Sequence, residues 1–234
     1  MKRLLGLTAA IVALLAACSD KPATEAGGGL DTKVEGPALP VDHPAVDVPK
    51  PLVSASPQRL AVRQLRNSFP VALGTELDGG AINWRVGNVL GLDTYNDTLG
   101  EADFIFQTED NLEPSPLYLK FMDDAARDVC NRVLTADWAR PNSTDRQFIR
   151  FVDKADTALT APAKVNDNLR YLKLRLHGIK IDPADDTEIA PLRQLFTDVT
   201  NAAAAGGTVD SNDTKEGWRA VCVALLMAPE FHFY

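Results

Sequence analysis

Apolar residues recur every three or four positions along much of the chain, which is the spacing of one face of an α-helix. The longest such stretch follows Ser115-Pro116, a pair typical of a helix start. Its apolar positions are Leu117, Phe121, Ala125, Val129 and Val133. The pattern predicts a helix from Ser115 to about Trp138.

The same spacing, together with residues that start or stop helices, predicts further helices. Pro162 and Pro183 stand where the first turn of a helix accepts proline, and Gly178 stands where a helix can end. The additional helices are expected at residues 56–69, 144–155, 162–178, 182–205 and 214–228.

Residues 75–113 lack this periodicity and are rich in glycine, aspartate and asparagine. Within them, residues 82–86 and 104–106 have the composition of short strands. Strand patterns are otherwise almost missing. We therefore expect an all-α fold, a bundle of about six helices interrupted by one long irregular region.

A different apolar pattern stands at the start of the chain. Lys2 and Arg3 precede an uncharged run over residues 4–17, which ends directly before Cys18. A basic head, an apolar stretch and small residues before a cleavage point are the features of an export signal. A transmembrane helix is the alternative, but the run is shorter than the roughly twenty residues that a span needs.

The ending Leu15-Ala16-Ala17-Cys18 resembles the signal of bacterial lipoproteins. The resemblance implies cleavage after Ala17 and lipidation of Cys18, so that the lipid bilayer is the expected partner. Two or three acyl chains anchor a protein durably, whereas one holds it only marginally. Ser19 favours sorting to the outer membrane by similarity to enterobacterial lipoproteins, and Asp20, one position later, weakens that assignment.

Residues 18–55 have the composition of a flexible tether. They contain three consecutive glycines and repeated prolines but no aromatic residue. Such a segment cannot bury enough apolar surface to order itself. The expected organisation is a signal peptide at 1–17, a tether at 18–55 and a helical domain at 56–234.

The charge of the chain argues against nucleic-acid binding. The formal net charge is −8, and loss of Lys2 and Arg3 with the signal peptide moves it to −10. An acidic protein repels the phosphate backbone. The acidic residues are spread out rather than clustered, which is typical of a solvated surface.

Two cysteines remain once Cys18 is lipidated. Cys130 and Cys222 both lie on predicted helices with apolar neighbours. A disulfide can form in the oxidising compartment that an export signal implies. Two separate buried thiols are the equally weighted alternative, because sequence does not show whether the Cα atoms lie within about 7 Å.

Four segments, in order, resemble the motifs of a large group of uncharacterised exported proteins that are abundant in planctomycetes and myxobacteria. The segments are residues 59–74, 111–126, 172–195 and 218–231. They contain Arg59-Leu60, Ser115-Pro116-Leu117-Tyr118, Pro183 with Glu188, and Pro229-Glu230-Phe231 respectively. Leu65 stands near the position of a tyrosine in that group, and Lys180 replaces an arginine.

This resemblance implies a helical domain and an exported location, but no established activity. Longer members of the group often carry a c-type haem domain or carbohydrate-binding-like modules, for which this chain is too short. The sequence also lacks the Cys-x-x-Cys-His motif of covalent haem. No cofactor is therefore expected.

Candidate chemistry is sparse. His43, His177 and His232 are far apart and each cysteine stands alone, so a metal site built on histidine and cysteine is not expected. The acidic segments 93–97 and 210–214 lack the glycine of a calcium loop. No nucleophile elbow, phosphate loop or dinucleotide fingerprint is present, and no catalytic residue is assigned.

Of the tryptophans, Trp138 and Trp218 lie beside core positions of predicted helices, whereas Trp84 lies in the irregular region. Trp84 is therefore the candidate for ligand contact. The expected function is that of a non-catalytic lipoprotein with a binding role, including a protein partner in the envelope. The alternative is an enzyme or accessory subunit acting on an envelope polymer or in a redox complex, which an acidic cleft within 75–113 would favour.

Overall fold

The computed structural model describes residues 58–105 and 107–233. Within them the prediction of an all-α fold is confirmed. The longer helices are α1 (Val62–Leu73), α3 (Pro116–Ala139), α4 (Pro162–His177), α5 (Ala190–Ala203) and α6 (Ser211–Met227). The short elements are α2 (Gly91–Thr94), α7 (Pro229–His232) and the two-residue strands β1 (Arg85–Val86) and β2 (Val89–Leu90). The predicted signal peptide and tether, with Cys18 and His43, lie outside the described residues.

The predicted bounds of helix α3 are confirmed to within one residue. The Ser115 hydroxyl accepts a hydrogen bond from the backbone N–H of Tyr118 at 3.1 Å, which satisfies one free donor at the helix start. Its fully buried apolar residues include Met122, Ala125, Ala126, Val129 and Val133. Helix α6 packs against both α3 and α5.

Helix α6 approaches α5 closely at Gly217. A Cβ atom there would lie 2.2 Å from Oγ1 of Thr200 and 2.8 Å from the Phe196 ring, so a larger residue would push the helices apart. The next residue, Trp218, packs on Phe196 with ring centroids 4.6 Å apart. Asp210 caps the start of α6 by accepting hydrogen bonds from Asn212 and Asp213.

Helix α1 begins later than predicted. Residues 58–61 are not helical, because the Arg59 N–H donates to the Leu112 carbonyl and the Leu60 N–H to that of His232. These long-range bonds compete with the helical ones, and Ser56 and Pro57 fall outside the described residues.

Pro70 lies inside α1, which continues to Leu73. A proline within a helix leaves the carbonyl four residues earlier without its N–H donor. That carbonyl belongs to Arg66, and the side-chain amide of Asn83 donates to it at 3.1 Å. The irregular region thus replaces the hydrogen bond that Pro70 removes.

The helix predicted at 144–155 is wrong. A short 3-10 turn at Ser143–Asp145 is followed by bends. The fully buried Asp137 carboxylate accepts the N–H groups of Gln147, Phe148 and Ile149. Because those donors serve a side chain, they cannot form the bonds of a helix.

Helix α4 ends as predicted at Gly178, which adopts a left-handed φ of 69°. Helix α5 begins at Ala190, not at Asp182. The Asp182 side chain accepts the N–H of Ala184, and Asp185 accepts that of Thr187. Such local hydrogen bonds stabilise turns, so residues 182–189 form turns instead of the first part of the predicted helix.

The strand prediction is correct only in small part. Arg85–Val86 pairs antiparallel with Val89–Leu90, whereas Phe104 and Ile105 form a bend. Among the described residues, no helix combines the length and apolar character that a membrane span requires.

Candidate functional site

Cys130 of α3 and Cys222 of α6 are joined by a disulfide, with Cα atoms 5.8 Å apart. Both residues are fully buried within the apolar core. The bond therefore locks the two central helices together in the interior, and it offers no exposed thiol for chemistry.

Trp84, the candidate for ligand contact, is only 4 % exposed. Its ring centroid lies 5.7 Å from that of Tyr95 and 6.0 Å from that of Phe121. Gly91 lies against the indole so closely that a Cβ atom there would be 2.4 Å away. The indole is thus surrounded by protein, and the structure assigns it a packing role.

A buried polar cluster formed by Arg59, Tyr118 and His232 lies where the two described ends of the chain meet. The Arg59 guanidinium lies over the Tyr118 ring, 4.5 Å from its centroid. It also donates to backbone carbonyls, those of Leu60, Leu99, Asn111 and Glu113. A buried charge needs such compensation, and here carbonyl dipoles and an aromatic face supply it.

Burial sets the protonation of the other two members. It raises the pKa of Tyr118 to about 12, against the opposing charge of Arg59. It lowers the pKa of His232 to about 4, opposed by the backbone of Leu226. Tyr118 Oη lies 3.2 Å from His232 Nδ1, so a neutral phenol and a neutral imidazole share a hydrogen bond.

Two of the segments that resemble those of the exported group each supply one residue of this cluster. Arg59 belongs to the first segment and Tyr118 to the second, and His232 directly follows the last. Phe231 of the last segment also packs against Phe69 of the first, with centroids 6.0 Å apart. The cluster therefore has a structural role in joining distant parts of the chain.

A cleft of about 500 Å³ lies between α3 and residues 76–78. Three of its acidic residues are Glu76, Asp78 and Asp128. Glu76 and Asp128 both pair with Arg132, at 3.2 and 2.9 Å. Asp128 also accepts the N–H of Arg85 at 2.9 Å. Glu76 and Asp128 therefore join the two walls of the cleft, whereas Asp78 accepts the N–H of Gly80 within its own loop.

A second cavity of about 420 Å³ lies between α5 and residues 155–160. Threonine hydroxyls and apolar side chains line it, and Leu159 at its border is 90 % exposed. The hydroxyl of its Thr200 is buried beside Gly217 of α6 and has no hydrogen-bond partner among the described residues.

The remaining candidate residues have structural roles. His177 Nε2 lies 2.8 Å from the Leu225 carbonyl, and Asp93 pairs with Arg66. In the part of the chain that the structure describes, no group of three or more His, Cys, Asp or Glu side chains is placed to hold a metal ion.

Sequence reasoning missed Arg59, Tyr118 and Asp137. Arg59 and Tyr118 lie far apart in the chain, so no local pattern marked them as neighbours. Asp137 sits between Ala136 and Trp138 at an apolar end of α3. A single carboxylate among apolar residues was the feature of the sequence that could have indicated a buried hydrogen-bond acceptor.

Comparison with known proteins adds no relative: no family model matches the chain, and neither a curated protein nor a solved structure matches it. The resemblance to the exported group of planctomycetes and myxobacteria therefore stays a prediction.

Proposed function

We propose that this protein is a bacterial envelope lipoprotein with a non-catalytic binding role. Its lipid anchor is the acylated Cys18, and residues 18–55 hold the helical domain away from the bilayer. The outer membrane is the proposed location, with the domain in the periplasm or outside the cell.

The observation that carries the anchor is the start of the chain. Lys2 and Arg3, the uncharged run over 4–17 and the ending Leu15-Ala16-Ala17-Cys18 occur in the order of a lipoprotein signal. The Cys130–Cys222 disulfide is consistent with export, because such bonds persist in oxidising compartments.

Two carboxylates of the cleft beside α3 already form ion pairs within the protein, which favours a binding role over catalysis in this proposal. In the cleft beside α3, Arg132 binds Glu76 and Asp128, which leaves that pair committed to structure.

Replacement of the anchor residue tests the proposal. Cys18→Ser should move the protein from the membrane fraction to the released fraction and should abolish acylation of the N-terminus in mass spectra. The matched control is Cys130→Ala/Cys222→Ala, which removes two cysteines and should leave both the acylation and the membrane association intact. Continued membrane association of Cys18→Ser, without acylation, would contradict the lipid anchor.

The binding role is tested by affinity capture of the lipidated protein from gently solubilised envelopes. A reproducible partner that is absent when the Cys18→Ser protein is captured from the released fraction supports a role at the membrane. A partner with a haem or polymer-processing domain would instead identify this chain as an accessory subunit, the alternative function. Recovery of the lipoprotein alone, after chemical cross-linking, would contradict a protein-binding role.

A further inference from the structure

The cavity between α5 and residues 155–160 is lined by uncharged side chains. Its volume of about 420 Å³ lies within the range of small-molecule sites. Asn201 and five threonines line it, and its other lining residues are apolar. Charged residues make up 24 % of the chain, yet none stands among the described residues that line this cavity. The composition fits an uncharged ligand, because a charged one would find no opposite charge there.

Hydrogen bonds hold the loop that forms one wall of the cavity. The N–H of Thr157 donates to Oγ1 of Thr160 at 2.9 Å, and the N–H of Thr160 donates to Oγ1 of Thr157 at 3.0 Å. The Thr157 carbonyl accepts the N–H of Ala161 at 2.9 Å. The Thr214 hydroxyl of α6 donates to the Lys154 carbonyl, just before the loop. The wall is therefore preformed, which lowers the entropy that binding costs.

The two buried residues that line the cavity, Phe196 and Thr200, form its floor. Phe196 is held in place by its packing on Trp218. Thr200 is 2 % exposed, and its Oγ1 has no hydrogen-bond partner among the described residues. A buried hydroxyl without a partner is unfavourable, and most such groups in native proteins are satisfied. A ligand that supplies a hydrogen-bonding group at this floor removes the penalty.

The border of the cavity exposes apolar surface. Leu159 lines the cavity and is 90 % exposed, whereas its neighbour Ala158 packs against the core. A ligand that lies between Leu159 and the floor would remove part of this leucine from water, which is favourable.

We propose that the cavity between α5 and residues 155–160 binds an uncharged small molecule that has an apolar ring or short chain and a hydrogen-bonding group. The inference rests on the proposed binding role and names its ligand class. The apolar part lies against Phe196 and Leu159. The polar group pairs with the Thr200 hydroxyl, which turns toward it between the two χ1 rotamers that a helical threonine adopts. The net charge of −8 further disfavours anions.

Equilibrium dialysis with small aromatic probes tests the ligand class. The protein is the full chain carrying Cys18→Ser, so that neither acyl chains nor detergent compete for an apolar cavity. The neutral probe 2-naphthol should bind saturably, one molecule to each chain. The anion 2-naphthoate should bind much more weakly. Absence of saturable 2-naphthol binding, or equal binding of 2-naphthoate, would overturn the proposal.

Thr200→Val tests the polar contact. It should weaken the binding of 2-naphthol about two- to tenfold, the range of a net hydrogen bond. It should not weaken the binding of 2-methylnaphthalene, which carries a methyl group in place of the hydroxyl. The matched control is Thr135→Val, at a helical threonine in the cleft beside α3, which should affect neither probe. Equal weakening of both probes by Thr200→Val, or of neither, would overturn the contact.

Thr197→Phe tests the location of the ligand. Thr197 lies on α5 in the cavity wall, so a phenyl ring there should occupy the cavity and remove most of the 2-naphthol binding. The matched control is Gln194→Phe, at an exposed position of the same helix outside the cavity lining, which should bind normally. Circular dichroism checks that both variants fold. Unchanged binding by a folded Thr197→Phe protein would place the probe elsewhere and overturn the proposal.

Failure of the ligand site is distinguishable from failure of the proposed function, because the tested chain lacks Cys18. Saturable 2-naphthol binding together with an unacylated parent protein would overturn the anchor and leave the ligand site. Acylation of Cys18 and capture of an envelope partner, without 2-naphthol binding, would overturn the ligand site and leave the proposed function.

Discussion

At the scale of single residues, Asp137 determines the path of the chain after α3. Its carboxylate is fully buried and pairs with Arg140 at 2.8 Å. It also accepts hydrogen bonds from three successive backbone N–H groups, those of residues 147–149. One side chain thus satisfies donors that would otherwise be buried without partners.

Asp137→Asn should destabilise the protein by about 2 to 4 kcal/mol, because the amide places a donor against backbone donors and removes the charge that pairs with Arg140. Urea unfolding at neutral pH measures the effect. The control is Asp124→Asn on the same helix, whose exposed carboxylate pairs with Lys120 at 2.5 Å and should matter by less than about 1 kcal/mol. Equal stability of the two variants would contradict the role given to Asp137.

His232 makes a second residue-scale contribution, which depends on pH. Its pKa is about 4 in the folded protein and 6.5 without the fold. The unfolded chain therefore binds more protons between these values, and stability falls as the pH is lowered through this range. The loss between pH 7 and pH 5 should be about 2 kcal/mol.

Urea unfolding at several pH values measures this loss, with His232→Gln as the comparison. The variant is expected to be less stable at pH 7, because it disturbs the buried contact with Tyr118. Its stability should nevertheless change much less between pH 7 and pH 5. If both proteins lose the same amount, His232 is not the group responsible.

At the scale of elements, the sequence predicted helices best where an apolar face coincided with local start and stop signals. The bounds of α3 and α4 follow from Ser115-Pro116 and from Gly178, which act through neighbouring residues. The error at 144–155 arose because Asp137 and Asn168 bind the backbone from other elements. A hydrogen-bond acceptor that comes from a distant part of the chain cannot be seen in the local spacing of apolar residues, although it prevents the helix that this spacing predicts.

The disulfide between α3 and α6 should stabilise the fold at this scale. It joins residues separated by 92 positions, and closing such a loop stabilises a fold by about 4 kcal/mol. Urea unfolding with and without reductant measures the contribution. Cys130→Ala/Cys222→Ala should be less stable by a similar amount and insensitive to reductant. If complete reduction of the disulfide left the stability of the unsubstituted protein unchanged, the prediction would be contradicted.

At the scale of the whole molecule, the sequence predicted the fold class but not the internal site. Periodicity alone established a helical bundle. The meeting of Arg59, Tyr118 and His232 depends on residues far apart in the chain, so neither spacing nor composition could show it. Trp84 illustrates the same limit, because a tryptophan outside a long helix looked available, whereas Gly91 and Phe121 enclose it.

The pairing of Arg59 with Phe233 has a consequence for engineering. The two described ends of the chain therefore lie side by side, and both connections to the rest of the chain leave the fold at the same place. Circular permutants and insertions into a host loop tolerate such geometry well. A fluorophore pair placed at Gln58 and Phe233 would also stay close only while the bundle is intact, which gives a direct optical reporter of folding in the envelope.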